Sequence, residues 1–137
     1  MTQQSQRFAR AAAELEGTPF RLHGRSEEFG LDCIGLVIAA LNAVGQTMPK
    51  LPDYRLRNLA IGDPASLAAQ AGFEQSSGEI HAGDLLLVKP GPAQFHFLIA
   101  LGGDRYVHSD ASLRRVATMR GPLRWSVLDQ FRLRKER

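Results

Sequence analysis

The single cysteine of this 137-residue chain, Cys33, lies in the stretch GLDCIGLV, between an aspartate and an apolar run. This pattern predicts a largely buried helix that begins at Cys33 and has Asp32 as its N-cap. The unpaired N–H groups at a helix start stabilise a thiolate, which is the nucleophilic form of cysteine. Two interpretations stay open from these residues alone: a nucleophile, or a small buried hydrophobic residue.

A nucleophilic cysteine needs a base to take its proton, and the chain offers four candidates: His23, His81, His96 and His108. If HFLIAL and RYVHSD pair through the GGD turn, the register makes His96 and His108 neighbours. One ring could then face the thiol while the other orients it. The pattern is also compatible with two unrelated histidines, one half-buried and one exposed.

The pairing has a consequence for the thiol itself. A helix N-terminus and a nearby imidazolium both favour the charged form of cysteine. We therefore expect the pKa of Cys33 to lie in the range of about 3.5–7.5 that activated thiols show.

The elements that must position these residues change character along the chain. Helical patterns occupy residues 6–16, the stretch after Asp32, and residues 64–73, with loops at 20–31 and 46–58. Strand-length runs then follow: DLLLVK, HFLIAL, RYVHSD, RRVATM and WSVLDQFRL. Helices followed by an antiparallel meander favour the α+β class, and we expect residues 1–137 to form a single domain.

Composition excludes several function classes. The formal net charge is +3, and no aromatic residues alternate with the basic ones, so we expect no nucleic-acid partner. No phosphate-binding glycine loop or zinc-ligand spacing is present, so we expect no cofactor and no metal. No apolar run approaches the ~20 residues of a membrane span. The N-terminus does not read as a signal peptide, so we expect synthesis in the cytoplasm without one.

Four motifs, taken in order, resemble the NlpC-type cell-wall cysteine peptidases, which are distant relatives of papain. They are the GTPFR entry, the DCIG helix start, the GDLLLV strand, and the strand that opens with a histidine followed by a second one twelve residues later. The resemblance covers most of the chain, from about residue 7 to about residue 120. It is nearest to the short phage-tail and gene-transfer-agent branch.

The resemblance implies a papain-like core with the nucleophile at a helix N-terminus, packed on a small antiparallel sheet. It implies a cysteine endopeptidase that hydrolyses peptide bonds in peptidoglycan stem peptides, such as D-glutamyl-diaminopimelate. Cys33 matches the nucleophile, His96 the base and His108 the third, orienting residue. The Cys33 backbone N–H would hold the oxyanion.

Two positions depart from the family pattern at the expected substrate-binding site. Phe20 stands where many members have a tyrosine whose hydroxyl reaches towards the active site. Ile34 stands where many have a serine that helps hold the amino end of the stem peptide, while Asp32 is retained. Asp32 can serve both as an N-cap and as a ligand. These changes leave the nucleophile intact and leave the identity of the stem peptide open.

Alternatives of two kinds remain. The first is a thiol acyltransferase or an amidase of small conjugates with the same fold. The second is a non-catalytic phage-tail or wall-binding module. For the hydrolase, we expect action at the cell wall after delivery by a phage-tail or other export device, with phage-tail proteins as further partners.

Overall fold

The computed structural model describes residues 3–46, 64–91 and 94–134, which form three helices and eight strands. The helices are α1 (Gln3–Ala13), α2 (Cys33–Ala43) and α3 (Pro64–Gln70). The strands are β1 (Arg25–Ser26), β2 (Gly30–Leu31), β3 (Phe73–Ser76), β4 (Leu85–Gly91), β5 (Gln94–Gly102), β6 (Arg105–Asp110), β7 (Arg115–Arg120) and β8 (Val127–Leu133). The predicted α+β class is confirmed, and none of the described helices is long and apolar enough to cross a membrane.

The main sheet is antiparallel and has the strand order β3-β8-β4-β5-β6-β7. Strands β4 to β7 form the predicted meander, including the β5–β6 hairpin at GGD. The last strand-like segment, whose place in the sheet the local pattern leaves open, is β8, which lies between β3 and β4 and does not extend the β7 edge. The alternating apolar residues of β8 explain its position, since Phe131 and Leu133 are buried in the core shared with the helices.

The helices follow the apolar pattern with small shifts in their ends. Helix α1 begins three residues before the predicted start and ends at Ala13, with Phe8 and Ala12 fully buried. The chain leaves through Gly17, whose φ of +91° suits glycine. The predicted short helix is α3, but its last residue, Phe73, belongs instead to β3, a strand that the sequence did not predict.

Helix α2 begins at Cys33, as predicted, and packs against β5 and β6. Its buried side chains share one core with Phe97, Ile99 and Val107 of the sheet. The loop predicted at 20–31 contains the short β1–β2 hairpin, which lies next to the start of this helix. The loop predicted at 46–58 falls almost wholly outside the described residues.

The opposite face of the sheet carries a second, smaller apolar cluster. Leu86, Leu98 and Tyr106 belong to it, and Trp125 from the segment between β7 and β8 packs against it. Because side chains alternate along a strand, His96 shares this face with Leu98, and His108 shares it with Tyr106. The candidate nucleophile Cys33 therefore belongs to the helix-covered side of the sheet, and the two histidines belong to the other face.

Candidate active site

Asp32 caps the N-terminus of α2. Its side chain is fully buried and accepts the backbone N–H of Gly35 at 2.8 Å, which is the predicted N-cap. The same carboxylate accepts the backbone N–H of His23 at 2.8 Å and the Arg25 guanidinium at 3.1 Å. Asp32 therefore holds the glycine-rich loop against the helix and fixes the position of the next residue, Cys33.

The thiol of Cys33 is buried, with 1% of the residue exposed. Burial, followed by the charge of Asp32, raises the pKa of Cys33 to about 12. The backbone N–H groups of Phe97, Ile34 and Cys33 itself favour the thiolate and oppose this rise in pKa. The expected depressed pKa is therefore wrong for the resting protein, because desolvation of the thiolate outweighs the N–H groups at the helix start.

The two histidines form a hydrogen-bonded pair. His96 Nε2 and His108 Nδ1 are 2.8 Å apart, and the rings meet edge to face with centroids 5.1 Å apart. The β5–β6 register, with Ile99 opposite Val107, sets the two rings diagonally on one face. The predicted proximity of His96 and His108 is thus present in the structure.

Both imidazoles are held uncharged. Burial, together with the neighbouring His108, lowers the pKa of His96 to about 3, and Asp110 opposes this only partly. Burial also lowers the pKa of His108, with Asp110 raising and Arg124 lowering it. The expected imidazolium beside the thiol is therefore absent at neutral pH.

Strand β5 relates Cys33 to the histidine pair, because it carries both His96 and the backbone N–H that acts on the thiol. The backbone N–H of Phe97, the residue after His96, favours the thiolate of Cys33 and so opposes the rise in its pKa. Within the described part of the chain, no hydrogen bond joins this sulfur to His96 itself. His96 Nε2 is engaged by His108, so Nδ1 is the ring nitrogen left to accept a proton from a thiol.

Two residues near the histidines were not predicted from the sequence. Asp110 Oδ2 lies 3.8 Å from His108 Nε2. The Trp125 ring packs edge to face on both His96 and His108, with centroids 6.0 Å apart in each case. Strand alternation could have revealed Asp110, which is two residues from His108 in the same strand. No local signal could have revealed Trp125, which reaches the site from a remote loop.

The two residues that depart from the family pattern lie in different surroundings. Ile34 is 3% exposed and lines a narrow apolar cavity with Leu85 and Phe97, so its side chain is directed into the core. Phe20 is partly buried, and its N–H donates to the Arg114 carbonyl at 3.0 Å. A role for either in substrate binding stays a prediction.

The remaining polar side chains, Asp84, His23 and His81, do not join the histidine pair. Asp84, immediately before β4, is fully buried and accepts from the His81 N–H and the Arg132 guanidinium. His23 and His81 lie outside the hydrogen-bonded pair. In residues 3–46, 64–91 and 94–134, no three His, Cys, Asp or Glu side chains converge as metal ligands would.

Comparison with known proteins gives one family and a set of similar structures. The NlpC/P60 family model matches residues 17–131. NlpC2 from Trichomonas vaginalis is 16% identical with a TM-score of 0.71, covering 95% of this chain and 47% of that one. The P60 domain of an antigen from M. avium subspecies paratuberculosis is 19% identical with a TM-score of 0.65, covering 95% and 94%. The peptidoglycan hydrolase RipB from Mycobacterium tuberculosis is 22% identical with a TM-score of 0.63, covering 95% and 64%.

These likenesses confirm the papain-like α+β fold. The chain spans less than half the length of the Trichomonas vaginalis protein but nearly the whole of the P60 domain. No curated protein matches the sequence. The assignment to the phage-tail and gene-transfer-agent branch stays a prediction.

Proposed function

Because this chain belongs to the NlpC/P60 family, we propose that it is a cysteine endopeptidase that hydrolyses amide bonds in peptidoglycan stem peptides. The observation that carries the proposal is the hydrogen-bonded pair of His96 and His108. The next residue of β5 after His96 is Phe97, whose backbone N–H favours the charged form of Cys33. RipB, one of the similar structures, is named a peptidoglycan hydrolase, which supports the substrate class. The bond from D-glutamate to diaminopimelate is the proposed target.

The mechanism starts from uncharged groups. Since burial keeps the Cys33 thiol and the His96 imidazole neutral, the proton passes from sulfur to His96 Nδ1 as the sulfur attacks the scissile carbonyl. The N–H groups at the start of α2 stabilise the oxyanion. His96 then gives the proton to the leaving amine, and the acyl group remains on Cys33. Water, deprotonated by His96, releases the acid product and restores the thiol.

Digestion of purified peptidoglycan, with mass analysis of the fragments, tests the proposal. The wild-type chain should release fragments cut within the stem peptide, and Cys33→Ala should release none while its circular dichroism is unchanged. Addition of an amine acceptor tests for a thiol acyltransferase, because transfer would replace part of the hydrolysis product.

The two histidines should contribute unequally. His96→Ala should lower the rate on the order of 10²- to 10⁴-fold, the range of general acid–base groups. His108→Asn should cost less, because an amide can partly replace an orienting imidazole. His81→Ala, outside the pair, is the control and should retain the wild-type rate. A dead His108 variant beside an active His96 variant would reverse the two roles.

A second candidate is a wall-binding module without turnover. It is favoured by the burial of the Cys33 sulfur and by the lack of a hydrogen bond from that sulfur to His96 in the described residues. For such a module, wall binding should persist equally in wild type and Cys33→Ala, and no stem-peptide fragments should appear with either protein.

We propose a phage-tail or other export device as the route to the cell wall, with tail proteins as partners. This rests on the motif resemblance alone. The gene neighbourhood and co-purification with tail particles test it, independently of the chemistry.

A further inference from the structure

Asp110 lies beside Nε2 of His108, the ring nitrogen that does not contact His96. We propose that Asp110 is a positioning residue that fixes which nitrogens of His108 and His96 carry protons, so that His96 Nδ1 is left as a proton acceptor. Its consequence for turnover rests on the proposed function, but the proton positions do not.

The carboxylate of Asp110 is held in one orientation. Its Oδ1 accepts the backbone N–H of Ser112 at 2.8 Å and that of Leu113 at 3.2 Å, closing the turn after β6. Its Oδ2 faces His108 Nε2 at 3.8 Å. The Asp110 side chain is 23% exposed, so solvent screens this attraction only in part. A fixed negative charge therefore faces one nitrogen of His108.

This charge selects one of two arrangements of protons. A neutral imidazole carries a single N–H, and the hydrogen bond between the rings can run in either direction. A negative oxygen near Nε2 of His108 favours the tautomer with its proton on Nε2. Nδ1 of His108 then has only a lone pair, so Nε2–H of His96 must donate across the 2.8 Å contact. His96 is left with an unprotonated Nδ1.

Among the residues that the structure describes, the surroundings of the pair do not supply another such selector. The other charge that acts on His108 is Arg124, which lowers its pKa. A cation near the ring favours the neutral imidazole without donating or accepting the Nε2 proton. Trp125 packs edge to face with both rings and restricts their orientation. We therefore assign the selection of the His108 tautomer to Asp110.

The test uses protein with ¹⁵N-labelled histidine, studied by NMR at neutral pH without substrate. In wild type, Nε2 of both His96 and His108 should show the resonance of a protonated nitrogen, and both Nδ1 atoms that of an unprotonated one. In Asp110→Asn, the amide oxygen can keep the turn to Ser112, while the amide NH₂ faces Nε2. The proton of His108 should therefore move to Nδ1, and that of His96 should follow to Nδ1.

The matched control is Asp104→Asn, the same substitution at an exposed site in the β5–β6 turn, where φ is 58° and asparagine is tolerated. It should show wild-type tautomers. On peptidoglycan, Asp110→Asn should lower kcat about 10- to 100-fold with little change in KM, as expected when a base carries its proton on the wrong nitrogen.

Each result decides a different point. A wild-type His108 with its proton on Nδ1, or unchanged tautomers in a folded Asp110→Asn, overturns the role of Asp110. The wild-type spectrum alone decides the matter if the variant does not fold. Correct tautomers in a wild-type protein that cuts no stem peptide would contradict the proposed function and leave the proton arrangement standing.

Discussion

Burial determines the charge state of the two candidate reacting residues. The pKa of Cys33 is raised to about 12 and that of His96 is lowered to about 3, each mainly by desolvation. Between these values both groups are neutral, so the resting site holds a thiol and an imidazole. The proton must then move during the attack, which makes its acceptor nitrogen, Nδ1 of His96, decisive for the rate.

His96 should make the protein sensitive to acid. The unfolded chain takes up a proton on His96 near its ordinary pKa of 6.5, whereas the folded chain does so only near about 3. The unfolded state therefore binds more protons in this window, and stability is lost as the pH falls from about 6.5 towards 3. Urea unfolding from pH 7 to pH 4 should show a smaller loss for His96→Gln than for wild type.

The control for this experiment is His81→Gln, which leaves His96 in place and should keep the acid sensitivity of the wild type. Equal pH slopes for wild type and His96→Gln would mean that His96 is not buried in its neutral form.

Cys33 should react slowly with iodoacetamide in the folded protein. Because its pKa is raised to about 12, the thiolate is scarce at neutral pH, and the labelling rate should climb with pH without a plateau below pH 8. In urea, the exposed thiol should titrate near its ordinary value of 9.0. The measurement is labelling rate against pH for wild type and His96→Ala. A plateau below pH 8 that His96→Ala removes would instead establish a thiolate–imidazolium pair.

At the scale of elements, the start of α2 depends on close contact with the β1–β2 loop. Asp32 caps the helix and holds Arg25 and the His23 N–H, so one buried carboxylate joins the two elements. Gly35 completes the contact, because a Cβ at this position would collide with the Gly24 carbonyl oxygen. The glycine two residues after the nucleophile is therefore a packing requirement of the loop.

Gly35→Ala tests this requirement, because two effects oppose each other in sign. Helix propensity alone would stabilise the protein by up to about 1 kcal/mol. The collision with Gly24 should outweigh this and lower the free energy of unfolding by about 1–3 kcal/mol, the usual cost of overpacking. Urea unfolding measures the sign. Ala39→Gly in the same helix is the control and should cost about 1 kcal/mol through propensity; a stabilised Gly35→Ala would show that the loop yields.

At the scale of the whole molecule, the chain returns from β7, at one edge of the sheet, and places β8 one strand in from the opposite edge. There it pairs with β3 and β4 and carries Phe131 and Leu133 into the main core. Arg132 of this strand binds the fully buried Asp84 through Nε and Nη2, both at 2.8 Å. Strand β8 thus contributes apolar side chains to the main core and supplies Arg132 as the partner of the buried Asp84 carboxylate.

Arg132→Ala should be strongly destabilising, because it leaves the Asp84 carboxylate buried without its cation. Loss of one partner of a buried pair costs several kcal/mol, and the 25% exposure of the Arg132 side chain reduces this to about 2–3 kcal/mol. Arg134→Ala is the matched control, since within the described residues that guanidinium donates to the Phe73 and Ala69 carbonyls. This substitution should cost under about 1 kcal/mol. Equal losses in thermal or urea unfolding would contradict the role given to Asp84.

The sequence by itself determined the features that follow from local pattern. The start of α2 at Cys33, its N-cap Asp32 and the β5–β6 hairpin all depend on residues within a few positions of one another. The pairing of His96 with His108 follows from the register of that hairpin. Asp110 was also within reach of strand alternation, since it lies two residues after His108 in β6.

The tertiary structure alone decided the environment of these groups. The insertion of β8 between β3 and β4 depends on a pairing between segments far apart in the chain, which no local pattern encodes. Trp125 reaches the histidines from a remote loop for the same reason. The neutral state of Cys33 and His96 depends on how completely all the surrounding segments exclude water. Desolvation sums over the whole packed structure, so the local signal of a helix N-terminus gave the wrong direction for the thiol's pKa.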